Sequence, residues 1–64
     1  MKTYKTKHNL NKVCFYLITR GREFNYIPKQ GVFFQADDDF VKEMRRILVI
    51  AYGCSLPPVV DEVK

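Results

Sequence analysis

Between residues 13 and 36 the hydrophobic positions come in short bursts separated by glycine and proline, and from 37 to 53 they recur at helical spacing. The first burst, Val13 to Thr19, is rich in β-branched and aromatic residues and is closed by Arg20-Gly21. It reads as a strand entering a hairpin turn. From Glu23 to Ile27, Phe24 and Tyr26 alternate with Glu23 and Asn25, the pattern of a strand with one dry and one wet face. Pro28 ends that strand for want of a ladder donor. Lys29-Gln30-Gly31 supplies the next turn, and Val32 to Gln35 reads as a third strand.

After Ala36 the period changes. Asp37, Asp38 or Asp39 caps a helix, with negative charge near the positive end of its dipole. The helix runs to about Tyr52 and stops at Gly53, a left-handed cap, with Pro57-Pro58 beyond it. Phe40, Val41, Met44, Ile47, Leu48, Ala51 and Tyr52 form its apolar stripe. The pattern predicts an α+β chain: a three-stranded antiparallel β-meander followed by one C-terminal α-helix and an extended tail. It divides one small domain, 1–64, into a basic flexible arm (1–11), a sheet (12–36), a helix (37–53) and a tail (54–64). Within the arm, Tyr4 alternating with Thr3 and Lys5 suits residues 3–7 to an edge strand. The expected core is Val13, Phe15, Leu17, Phe24, Tyr26, Val32, Phe34, Phe40, Met44, Ile47, Leu48 and Ala51. A register slip of one residue would exchange the faces.

Two places do not fit a self-contained fold of this kind. Val49 and Ile50 stand on the helix side that begins as Lys42, Glu43, Arg45 and Arg46. In the first burst, Phe15 and Leu17 face one way while Tyr16 and Ile18 face the other, yet one helix covers one sheet face. The uncovered face calls for the tail residues Leu56, Val59, Val60 and Val63, a second subunit or a foreign partner. Val49, Ile50, Tyr16 and Ile18 are therefore the expected apolar contact residues.

Size and charge sharpen this expectation. A chain of 64 residues buries only about 60% of its unfolded surface, so cover from a partner is useful to it. The formal net charge of +4 is unevenly spread. Lys2, Lys5, Lys7, Lys12, Arg20, Arg22 and Lys29 crowd the first half against Glu23 alone, while 37–64 is net acidic. The basic half is suited to an anionic surface, nucleic acid or acidic protein.

Nothing in the chain forms a transmembrane run or a secretory h-region, which points to a cytoplasmic protein without a membrane partner. Cys14 and Cys54 lack metal-ligand spacing and read as reduced, buried thiols, with a single bridge between them as the alternative in an exported chain. Catalytic material is thin: His8 lies in the arm, Ser55 beyond the helix, and apolar neighbours around Cys14 oppose an activated thiolate. The aspartates lack the spacing of a calcium loop. No enzyme, cofactor, metal site or small-molecule substrate is expected.

The sequence therefore predicts a small non-enzymatic binding protein that docks on a protein partner or on itself as a homodimer. Inhibitors and adaptors of phages and mobile elements, anti-defence proteins among them, share this size class. The alternative is a nucleic-acid-binding domain in which Arg20, Arg22 and Lys29 around the turns, with the lysine-rich arm, meet phosphates while Tyr16 and Tyr26 stack. Three strands and a helix with a basic hairpin are similar, in element order alone, to the small DNA-binding domains at the N-termini of phage and transposon integrases.

Overall fold

The computed structural model describes residues Met1 to Lys64. Its elements are β1 (Lys2–Thr6), α1 (Leu10–Thr19), β2 (Phe24–Ile27), β3 (Gly31–Ala36), α2 (Asp38–Ile50) and β4 (Asp61–Glu62). The strands form one antiparallel sheet in the order β2-β3-β1-β4. This is the split β-α-β arrangement, a scaffold that fixes no function by itself.

The α+β class agrees with the sequence pattern, whereas the meander followed by one helix does not. Val13 to Thr19 belongs to α1, and its helical period becomes visible once Leu10 is included. Leu10, Val13, Cys14 and Leu17 follow the i, i+3, i+4, i+7 spacing of a helix face. β-branched and aromatic residues tolerate a helix when packing selects one, because propensity is the weaker force. Asn9 starts α1 from a left-handed conformation without a side-chain cap.

Within the expected flexible arm, Lys2–Thr6 is likewise a strand, and an interior one rather than an edge strand. β1 pairs Lys2–Thr6 with Ala36–Val32 of β3 on one side, and Tyr4 and Lys5 with Glu62 and Asp61 of β4 on the other. The tail thus returns to the sheet, and Val63 N donates to Thr3 O at 2.8 Å. The order strand, helix, two strands, helix, strand removes the likeness to the integrase domains.

β2 and β3 form the expected hairpin through Pro28-Lys29-Gln30, with Lys29 at φ 73° and Gly31 at φ 111°. Gly31 is required for a second reason. A Cβ there would lie 2.3 Å from the Thr6 carbonyl oxygen, so β1 and β3 approach too closely for a side chain. Asp37 caps α2, its carboxylate accepting from Phe40 N at 2.9 Å. The helix ends at Ile50 rather than Tyr52, and Gly53 at φ 78° turns the chain away.

Burial shows which sheet face the helices cover. Tyr4, Thr6, Val32, Phe34 and Ala36 are buried and share one face by register. They close over Val13, Tyr16 and Leu17 of α1, Val41, Met44 and Leu48 of α2, and Cys54. Of the expected core, Phe24, Phe40 and Ile47 are half-buried, while Phe15, Tyr26 and Ala51 are exposed. Phe15 is out because a helix turns successive residues by about 100°, so Tyr16 and Leu17 go inside together where strand alternation would separate them.

Candidate functional site

Both helices pack on one sheet face, so their outer surfaces form a single layer against solvent. Three large apolar side chains stand on it: Phe15 is 60% exposed, Ile18 64% and Ile50 65%. Phe15 and Ile18 lie three residues apart, one turn along the outer side of α1. The Phe15 ring meets Tyr52 edge-on at 6.2 Å between centroids, and Tyr52 also meets Tyr16 at 6.0 Å. Tyr52 thereby joins the exposed ring of Phe15 to the core and holds the chain after α2 against α1. Thr19 Oγ1 lies 3.5 Å from the Tyr52 hydroxyl at the same junction.

Several cations lie on the two helices and the turn after α1. Arg20 caps α1 with its guanidinium 4.9 Å from the centre of the Tyr16 ring, and Arg22 lies 4.4 Å from the centre of Phe40. Each ring fixes a long side chain that would otherwise be free. Lys12 is half-buried with its ammonium beside Gly53. On α2, Arg46 shares a face with Ile50 four residues on, and Glu43 lies 3.7 Å from Arg46.

Of the apolar contacts expected from sequence, Ile18 and Ile50 are exposed on this layer. Val49 is half-buried against the core, and Tyr16 is 1% exposed, so Tyr16 is a core residue and not a contact. Phe15 is exposed instead, with half-buried Tyr52 against its ring. A helical wheel drawn from Leu10 puts Phe15 outside with Asn11 and Ile18, which is the signal that strand alternation hides.

The basic residues separate into different places. No basic β-hairpin joins Arg20, Arg22 and Lys29: the arginines occupy the α1–β2 turn, and Lys29 lies at the opposite end of β2. Lys2 is engaged with Asp38 at 3.3 Å and Glu62 at 3.8 Å. Lys5 lies on the sheet face away from the helices, and Lys7 just beyond the end of β1.

Asp38 receives both Lys2 and the Tyr4 hydroxyl, which donates to its carboxylate. The Tyr4 bond and then Lys2 hold the Asp38 carboxyl below its usual range, and the Tyr4 phenol is pushed up to about 12, first by that same bond. Asp37 and Asp38 are thus occupied by capping and by the sheet. Burial raises the Cys14 thiol above its ordinary value, and both cysteines are free thiols.

His8 lines a depression with Lys5, Lys7 and Asp61. No three His, Cys, Asp or Glu side chains converge as metal ligands, and no helix is long and apolar enough to cross a membrane. No protein-family model matches the chain, and no curated protein or solved structure is significantly similar to it.

Proposed function

We propose that the protein is a non-catalytic docking module whose outer helix layer binds an acidic protein surface. The observation that carries this reading is the exposure of Phe15, Ile18 and Ile50 on two helices whose inner faces already fill the core. Scattered exposed apolar residues are ordinary; large ones gathered on one layer and rimmed by charge have the composition of an interface centre with its rim.

The charge near these residues favours an acidic partner. Lys12, Arg20 and Arg46 lie on the two helices and the turn after α1, and the chain carries +4 overall. A two-fold self-pairing would set the same patch against itself and bring like charges together, whereas an acidic protein would be attracted and steered. Arg20 and Arg22, already ordered over aromatic rings, would lose little further entropy on pairing with carboxylates. An inhibitor or adaptor acting by occupancy needs no more chemistry than this.

Capture from an extract of the cells that express the protein tests the reading. Immobilised wild-type protein and the Lys5→Glu variant should retain the same stoichiometric partner, released by salt, and Phe15→Ser/Ile18→Ser should lose it. Equal retention by the double variant contradicts the assignment of the helix layer.

A further inference from the structure

With both helices on one side, the other side of the sheet faces solvent. By register it carries Thr3 and Lys5 of β1, Asn25 and Ile27 of β2, Phe33 and Gln35 of β3, and Asp61 of β4. A solvated sheet face is normally polar. Phe33 departs from this on an interior strand, with Lys5 directly opposite on one neighbour and Asn25 on the other. Phe33 is half-buried, and the hollow beside it is bordered by Thr3, Glu23, Asn25 and Gln35.

The side-chain hydrogen bonds of the chain involve Met1, Lys2, Tyr4, Thr6, Thr19, Arg22, Asp37, Asp38 and Tyr52. The amides of Asn25 and Gln35 and the ammonium of Lys5 are therefore free of internal partners. A second depression, at the end of β1, is lined by Lys5, Thr6, Lys7, His8, Val59 and Asp61.

We propose that this face binds single-stranded nucleic acid, with one base stacked on Phe33, Asn25 and Gln35 meeting base edges, and Lys5 and Lys7 neutralising the adjoining phosphates. A base has apolar faces and polar edges, which matches an aromatic ring set among amides. A protein contact would call for a wider apolar patch, whereas Phe33 is flanked by Lys5 and Asn25, and exposed Ile27 at the far end of β2 is the other apolar residue that the four strands carry on this face. The bases of a duplex remain stacked on each other, so their faces cannot reach the ring. Asp61, opposite Lys5, and Glu23 at the edge of the hollow oppose the phosphates and keep the affinity moderate. The surface is distinct from the helix layer, and its occupation is independent of protein docking.

Fluorescence anisotropy with labelled mixed-sequence 12-nucleotide RNA and DNA single strands, and with the corresponding DNA duplex, tests the proposal at about 50 and about 200 mM NaCl. Single strands should bind in a salt-sensitive manner and the duplex at least about tenfold more weakly, since stacking requires an open base. Phe33→Ala should weaken single-strand binding about tenfold, the loss of one stacked base, with an unchanged circular dichroism spectrum. Lys5→Glu should weaken it more than the charge-matched Arg45→Glu, and Asp61→Asn should strengthen it. No binding at the lower salt, duplex binding as tight as single-strand binding, or a folded Phe33→Ala variant of undiminished affinity would each overturn the proposal.

Discussion

The exposed ring of Phe15 meets the ring of Tyr52 edge-on, with centroids 6.2 Å apart, while the next residue in the chain, Tyr16, is buried. This pair of facts separates the two roles of α1: one side builds the core and the other carries a surface that the fold does not need. Serine at Phe15 should lose little beyond the edge contact, about 1 kcal/mol, whereas Tyr16→Ala should cost about 3–5 kcal/mol. Urea unfolding of the two variants measures the difference. Equal losses, or the reverse order, would mean that residues 13–19 form the alternating strand that their composition suggests.

Gly31 is a second point where the fold makes a sharp demand. Its φ of 111° and the 2.3 Å approach of a notional Cβ to the Thr6 carbonyl leave no room for alanine. Gly31→Ala should destabilise by about 2–4 kcal/mol through backbone strain and separation of β1 from β3. The effect should appear as a lower urea midpoint, and the β1 amides should lose hydrogen-exchange protection first.

The bond between Tyr4 and Asp38 ties stability to pH at both ends of the range. Asp38 is lowered from 3.8 on folding, so its contribution is fully present above that value and is lost as pH falls through the folded value. Tyr4 is raised from 10.0 to about 12, so its contribution is present below pH 10 and is lost as pH rises towards 12. Melting temperature followed across pH should fall at both limits. Asp38→Asn should flatten the acid limb, and Tyr4→Phe the alkaline one. Unchanged limbs in these variants would assign the pH dependence to other groups.

What the sequence makes legible follows from where the signals are local. The β2–β3 hairpin is announced by Pro28-Lys29-Gln30-Gly31 and the alternation before it, and α2 by Asp37 and a stripe that includes Val41, Met44 and Leu48. The hairpin appears where the pattern puts it, and α2 begins after Asp37 as expected but ends at Ile50 rather than Tyr52. Residues 10–19 mislead because Val13 to Thr19 is apolar almost throughout; without Leu10 the helical stripe has too few members to compete with β propensity. β1 hides behind its lysines: only Tyr4 and Thr6 turn inward, and Lys2 is held by Asp38 and Glu62.

β4 has no apolar signature. Asp61 and Glu62 join the sheet through backbone pairing that composition does not report. The proposed contact surface shows the same split. Ile18 and Ile50 stand out from sequence, while Phe15 and Tyr16 exchange places because strand alternation and the helical period point them in opposite directions.

The most direct test of the docking surface is a titration of the captured partner with wild-type protein and the Ile18→Ser variant, alongside the melting temperature of each. Ile18 is 64% exposed, so its replacement should leave the fold within about 0.5 kcal/mol of wild type. The account predicts an unchanged melting temperature together with an affinity loss of about tenfold or more, the signature of a central interface residue. Undiminished affinity in a fully folded variant would contradict the assignment of the helix layer as the working surface.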